Sequence, residues 1–244
     1  MTANVKRDAN TYRTTARVVG ALFVAGMLIG IPAFMFTQSI LGVPDRLSIV
    51  PANSMLLALA AIMMLLTVVG DALHGVLMFP IIKQDSERIA VGYLAFRIVD
   101  AAFIAMSVVF LLLQIPLGRE YVNAAVPGTL NLQALSNLAI QANLYAYDIA
   151  MTFLGIAGLM LCYTFYRTRL VPRPLAVWGL VGYATILTGS VLQIMGFNLS
   201  SMHTIPGGLW EIFIGVWLIA KGFNASAFVA PARRTNTVPE PLLP

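Results

Sequence analysis

Long apolar blocks alternate with short polar stretches along this chain, and six of the blocks are long enough to cross a bilayer. A membrane-spanning helix needs about 20 mainly apolar residues. By that criterion the pattern predicts helices at roughly 15–41, 52–82, 89–117, 132–168, 174–196 and 206–223. Pro32 marks an expected kink in helix 1. Helix 2 follows the turn-like Val43-Pro44-Asp45, and helix 3 is expected to stop near Pro116 and Gly118. Helix 4 opens with Gln133, Ser136, Asn137, Gln141 and Asn143, so its first third is expected to project out of the hydrocarbon. Helices 5 and 6 start after prolines, Pro172 and Pro174 for one and Pro206 for the other. The reading is an all-α polytopic membrane protein, a bundle of six transmembrane helices in one domain spanning 15–224. An N-tail covers 1–14. A C-tail covers 225–244, whose end at 231–244 holds four prolines and no periodicity, and it is expected to be disordered.

Composition agrees with a bilayer rather than water as solvent. The chain is 59% hydrophobic and 10% charged, against roughly 25% charged residues in soluble domains. Its one cysteine, Cys162, excludes an internal disulfide. The formal net charge of +5 does not point to nucleic acid, because the cations sit at the ends of apolar blocks, where topology and anionic lipid explain them. The run after Arg17 is too long for a signal-peptide core and reads as an uncleaved first span.

Charge then sets an orientation. Lys6, Arg7, Arg13, Arg17, Lys83, Arg88, Arg167, Arg169, Arg173, Lys221, Arg233 and Arg234 fall on one side of a six-span topology; Arg46 and Arg119 fall on the other. The positive-inside rule places the basic side, with both termini, in the cytoplasm. The expected location is the plasma (inner) membrane, with the lipid bilayer as partner.

Ionisable residues inside apolar helices are costly, and they mark the candidate chemistry. Asp71 and His74 lie in helix 2, Arg97 and Asp100 in helix 3, and Glu211 in helix 6. Counted from the basic anchor of each helix at 1.5 Å per residue, all five lie about 13–18 Å deep, in one layer. Asp148 lies about 28 Å from Arg167 by the same count and belongs to the outer interface. Each pair in helices 2 and 3 is spaced i, i+3 and shares a face. The expected pairings are Arg97 with Asp100 or Glu211, and His74 with Asp71. Three carboxylates face one arginine, so with His74 neutral the layer carries −2. Proton uptake somewhere in the layer would relieve that charge.

Two interpretations compete for this layer. It is either an ion-pair network that fixes helix register, or a polar cavity that binds a small molecule or protons. A zinc site is disfavoured by Arg97, and no cofactor is called for. Gly70-Asp71 and Tyr147-Asp148 superficially resemble intramembrane aspartyl protease motifs, in the wrong order and at different depths. Gly26 and Gly30 form a small-xxx-small pattern, read as helix packing. Trp178, Trp210 and Trp217, with Tyr12 and Tyr121, are read as interfacial belts. Met63 and Met64 are read as lipid-facing or core filler.

Four stretches carry a resemblance: "ARVVGALFVAGMLIG" in helix 1, "FRIVDAA" in helix 3, "LVPRPLAVWGLVGY" at the start of helix 5, and "LWEIFIGVWLIAKGFN" in helix 6, where Glu211 precedes Trp217 and Lys221-Gly222. From about residue 13 to 224 the chain resembles a family of uncharacterised bacterial integral membrane proteins, a domain of unknown function. The resemblance implies the six-helix fold and brings no activity, substrate or cofactor. The leading functional expectation is therefore a small-molecule- or proton-binding membrane protein, transporter-like or a sensor, using Asp71, His74, Arg97, Asp100 and Glu211. The alternatives are an intramembrane enzyme and a structural or partner-binding subunit with no ligand. A subunit of that last kind needs every layer residue paired and no cavity. The lack of an inverted repeat weighs against a transporter.

Overall fold

A computed structural model describes residues 2–124, 126–197 and 199–224, with backbone alone at 2–11, 126–127 and 200–201. The helices are α1 (Thr2–Leu41), α2 (Arg46–Ile49), α3 (Ser54–Ile82), α4 (Glu87–Leu112), α5 (Gln114–Asn123), α6 (Val126–Thr168), α7 (Arg173–Ile194) and α8 (Ile205–Ala220). A 3-10 turn at Ser200–Thr204 leads into α8. Six stretches are long and apolar enough to cross a membrane: Tyr12–Leu41, Ser54–Ile82, Glu87–Asn123, Gly128–Thr168, Arg173–Ile194 and Met202–Ala220. The chain is a multi-pass membrane protein of all-α class. The expected C-tail at 225–244 lies outside the described residues, and the stretch expected as an N-tail lies within α1.

Each span packs against the next. α1 meets α3, α3 meets α4, α4 meets α6, α6 meets α7, α7 meets α8, and α8 returns to α1. The spans therefore close a ring. Its core gathers Phe23, Met78, Tyr93, Phe165, Tyr183 and Trp210, while a smaller cluster of Ile40, Val50, Leu57, Val108 and Leu111 fills one end. The outer face carries many exposed apolar side chains, Leu28, Met55, Ile98 and Phe213 among them. That is the surface a bilayer covers.

Several boundaries differ from the sequence expectation. Helix 3 does not stop at Pro116. The chain turns at Leu113 and resumes as α5, where Pro116 occupies the third residue, within the first turn where no backbone donor is needed. Only Ala124 and residue 125 separate α5 from α6. Helix α6 is consequently 43 residues long, roughly 64 Å at 1.5 Å per residue. Its polar first third is bonded to its neighbours. Ser136 donates to Gln114 Oε1 at 2.6 Å, and the Gln114 amide donates to the Ser136 carbonyl at 3.2 Å. Gln133 donates to Tyr121, Arg46 donates to Asn137, and Asn143 donates to the Ser107 carbonyl. Helix α1 runs unbroken through Pro32. Ser86 caps α4 by accepting from the Ile89 amide.

Cross-links among the turns gather the basic loops at one end of the bundle. Gln84 donates to the Tyr12 hydroxyl, Arg167 pairs with Asp85 at 3.2 Å, and the Asn224 amide donates to the Leu170 carbonyl at 2.9 Å.

Candidate functional site

The polar layer is built where α3 and α4 approach closely. Gly75 makes that approach possible: a Cβ there would lie 3.2 Å from the Arg97 Cβ and 3.0 Å from Leu94. The guanidinium of Arg97, 4% exposed, is thereby held between two carboxylates. Its Nη2 donates to Asp71 Oδ1, its Nε to the Asp71 carbonyl at 3.3 Å, and its Nη1 to Asp100 Oδ2 at 3.1 Å. The second Asp100 oxygen is buried and, among the described residues, has no hydrogen-bond partner. A buried arginine bonded to two acids is held firmly, because removing either acid would leave charge uncompensated.

Of the expected pairings, Arg97 with Asp100 is formed; the other two layer residues, His74 and Glu211, have partners outside the layer. His74 Nε2 lies 3.1 Å from the Val19 carbonyl of α1. A carbonyl only accepts, so Nε2 carries the proton in that bond. The Phe23 ring packs on the imidazole, centroids 4.1 Å apart. The expected His74–Asp71 pair is therefore replaced by a backbone contact. Glu211 is bonded by Tyr183, whose hydroxyl donates to Oε1 at 2.9 Å; Arg97 is occupied by Asp71 and Asp100 instead. Tyr183 was not anticipated. The available signal was an aromatic hydroxyl mid-way along helix 5, far from either interface.

Trp210 also departs from expectation. It is fully buried, not interfacial, and its indole donates to the Leu175 carbonyl at 2.6 Å. It stacks edge-on with Phe23 and Tyr183, forming the floor between α1, α7 and α8.

Four of the five layer residues line one cavity. Asp71, His74, Arg97 and Glu211 border a space of about 220 Å³ with Phe23 and Gly26 of α1 and Gly70 of α3. Gly26 does not pack a helix, contrary to the small-xxx-small expectation: nothing lies within 4 Å of where its Cβ would be, and the same holds for Gly70. The close packing of α1 is made instead by Gly20, whose Cβ would lie 2.6 Å from the Gly215 carbonyl of α8. The cavity rim includes Leu66, Val69 and Leu73, all exposed on the outer face of α3. The space therefore reaches the lipid-facing surface between α1 and α3. The Asp71 side chain is 30% exposed, against 5% for Arg97 and 1% for Asp100. Asp100 lies behind Arg97, outside the cavity lining.

Asp148 stands apart, buried and accepting from Gln193 at 2.9 Å. Asp71 and Asp148 thus have separate hydrogen-bond partners. Among the described residues no group of three or more His, Cys, Asp or Glu side chains is placed to hold a metal ion. Apolar walls with a few convergent polar groups are the general character of small-ligand sites, and 220 Å³ lies below the roughly 300 Å³ at which drug-sized pockets begin, so the space suits a small ligand.

The sequence matches a family described as Domain of unknown function (DUF4386) over residues 18–222. No curated protein and no solved structure matches the chain.

Proposed function

The chain belongs to that family, which carries no assigned activity, and we propose that it is a membrane protein that binds a small molecule or protons at the charged layer, reached from the lipid side between α1 and α3. The observation that carries this reading is the cavity shared by Asp71, His74, Arg97 and Glu211. An ion-pair network that only fixed helix register would favour filled space around the pairs, and here the space is open at Gly26 and Gly70. The acid excess supports proton binding: Arg97 serves two carboxylates, and Glu211 is left with a neutral tyrosine hydroxyl. A ligand entering here would present an apolar body to Phe23 and Leu66 and a polar or cationic head to Asp71. A sensor or accessory binding protein fits this lateral opening better than a carrier, which needs access from both sides. In the same reading the basic end of the bundle faces the cytoplasm of a plasma (inner) membrane, so a reporter after residue 230 and one within 42–51 will report opposite sides.

The test is the pH profile of thermal stability in detergent. The wild-type profile changes between about pH 5 and 8, where a layer that exchanges protons responds. A variant with Asp71, His74, Arg97, Asp100 and Glu211 all replaced by apolar residues of similar size folds, because neutralising a buried network as a set is often tolerated, and its profile is flat. A flat wild-type profile would remove the proton-binding reading.

A further inference from the structure

A second cavity, of about 360 Å³, lies at the basic end of the bundle and shares no residue with the first. Its walls are the α6–α7 connection and the chain that follows α8. Two left-handed residues build it: Arg169, at φ 58°, ends α6, and Gly222, at φ 74°, turns the chain back after α8. The walls are bonded together by the Asn224 amide, which donates to the Leu170 carbonyl, and by the Asn224 side chain, which donates to the Arg169 carbonyl at 3.4 Å. The pocket is thus a constructed concavity with a fixed shape.

Its charge is one-sided. Arg169, Arg173 and Lys221 line it, no carboxylate among the described residues does, and Arg13 of α1 lies beside Gly222. Among the described residues none of these four cations is in an ion pair. Arg169 and Lys221 follow the C-terminal ends of α6 and α8, where cations are favoured by the helix dipole whether or not a ligand binds. Arg173 is different. It occupies the first turn of α7, the positive end of a 22-residue helix with no acid in that turn. A cation there is opposed by the dipole, and an anion between Arg173 and the helix end would satisfy both. The guanidinium is held over the Tyr166 ring, 5.2 Å from its centroid.

The surroundings select the source of the anion. Trp217, half-buried, forms part of the wall, as an aromatic at the headgroup level would. The surface leading away from the pocket toward the middle of the bundle is apolar: Val177 and Val181 on α7 and Phe213 on α8 are exposed. We propose that this basic pocket binds the phosphate of an anionic phospholipid, with the acyl chains lying along the exposed apolar faces of α7 and α8.

The experiment uses the full-length protein in detergent and compares short-chain phosphatidylglycerol, short-chain phosphatidylcholine and glycerol 3-phosphate at equal phosphate concentration. Thermal stability and lipid retention by native mass spectrometry are both read. Phosphatidylglycerol raises the melting temperature and is retained; the other two do neither. The variant R169Q/R173Q/K221Q binds phosphatidylglycerol roughly 100-fold more weakly, three interfacial charges being removed, whereas R88Q/R119Q, which removes exposed arginines elsewhere, keeps the wild-type response. Should the triple variant not fold, R173Q alone still shows a clear loss of retention. Equal stabilisation by phosphatidylcholine would overturn the proposal, as would an unchanged response in the triple variant or in R173Q. A glycerol 3-phosphate effect equal to that of phosphatidylglycerol would also overturn it, showing a pocket for a soluble phosphate compound.

Discussion

Between α6, α7 and α8 glycines bring backbones together, and between α1 and α3 they leave room. A Cβ on Gly158 would sit 2.2 Å from the Tyr183 ring; on Gly182, 2.9 Å from the Gly207 Cα; on Gly179, 2.5 Å from Cys162 Sγ. Those contacts clamp one flank and hold Tyr183 against Glu211 and Trp210. On the other flank, Gly26 and Gly70 face nothing within 4 Å. Small residues let membrane helices approach when a partner helix fills the notch. Where no partner fills it, the same residue makes a cavity wall. The contrast teaches that the polar layer has one rigid side, which positions Glu211, and one open side, where Asp71 is reachable.

The comparison is most severely tested at Arg97, which holds Asp71 on the open side. Arg97→Leu leaves two acids unpaired and lowers stability by about 3–5 kcal/mol, as breaking buried pairs does. Arg119→Leu, at an exposed position, leaves the melting temperature in detergent nearly unchanged. Equal melting temperatures would show that Arg97 does not hold the layer. Next come the clamped glycines. Gly158→Leu and Gly182→Leu overpack the seam and cost about 3 kcal/mol or more, read as loss of the monodisperse peak in size-exclusion chromatography. Gly26→Leu and Gly70→Leu keep that peak. The smallest effect has the opposite sign. Gly26→Ala and Gly70→Ala gain helix propensity without a clash and raise stability by up to about 1 kcal/mol, whereas Gly158→Ala lowers it; a thermal-shift series on the three single variants checks the sign.

The six spans were legible because a bilayer requires apolar blocks that nothing else requires, and the charged layer because ionisable groups stand out within them. Partner choice was legible only in part: Arg97 pairs with Asp100 as expected, and the other partners differ. His74 settles on the Val19 carbonyl, and a backbone acceptor leaves no mark in a sequence. Asp71 joins Asp100 on the arginine, for which Asp100 or Glu211 was the expected partner, since α3 and α4 are drawn together at Gly75, a contact that spacing alone does not reveal. Tyr183 was hidden among apolar neighbours. Gly26 and Gly30 show the limit of a motif: the spacing announces two small residues on one face, and what lies across from them decides whether they pack or open. Trp210 was misread for a related reason. Aromatics near helix ends usually mark interfaces, and this one finds a buried carbonyl instead. Pro116 looked like a stop and proved to be part of a first turn.

The central claim is that Asp71 is reachable from the lipid through the opening between α1 and α3. Photolabelling the full-length protein in lipid nanodiscs with a membrane-soluble trifluoromethyl aryl diazirine, which loses N2 to give a carbene that inserts into neighbouring side chains without needing a proton from them, tests it directly, with sites mapped by peptide mass spectrometry. The account predicts label on Asp71, little on Asp100 behind Arg97 or on buried Asp148, and loss of the Asp71 label in Gly26→Leu/Gly70→Leu. An unlabelled Asp71 in the wild type, or labelling that persists when both glycines are filled, would contradict it.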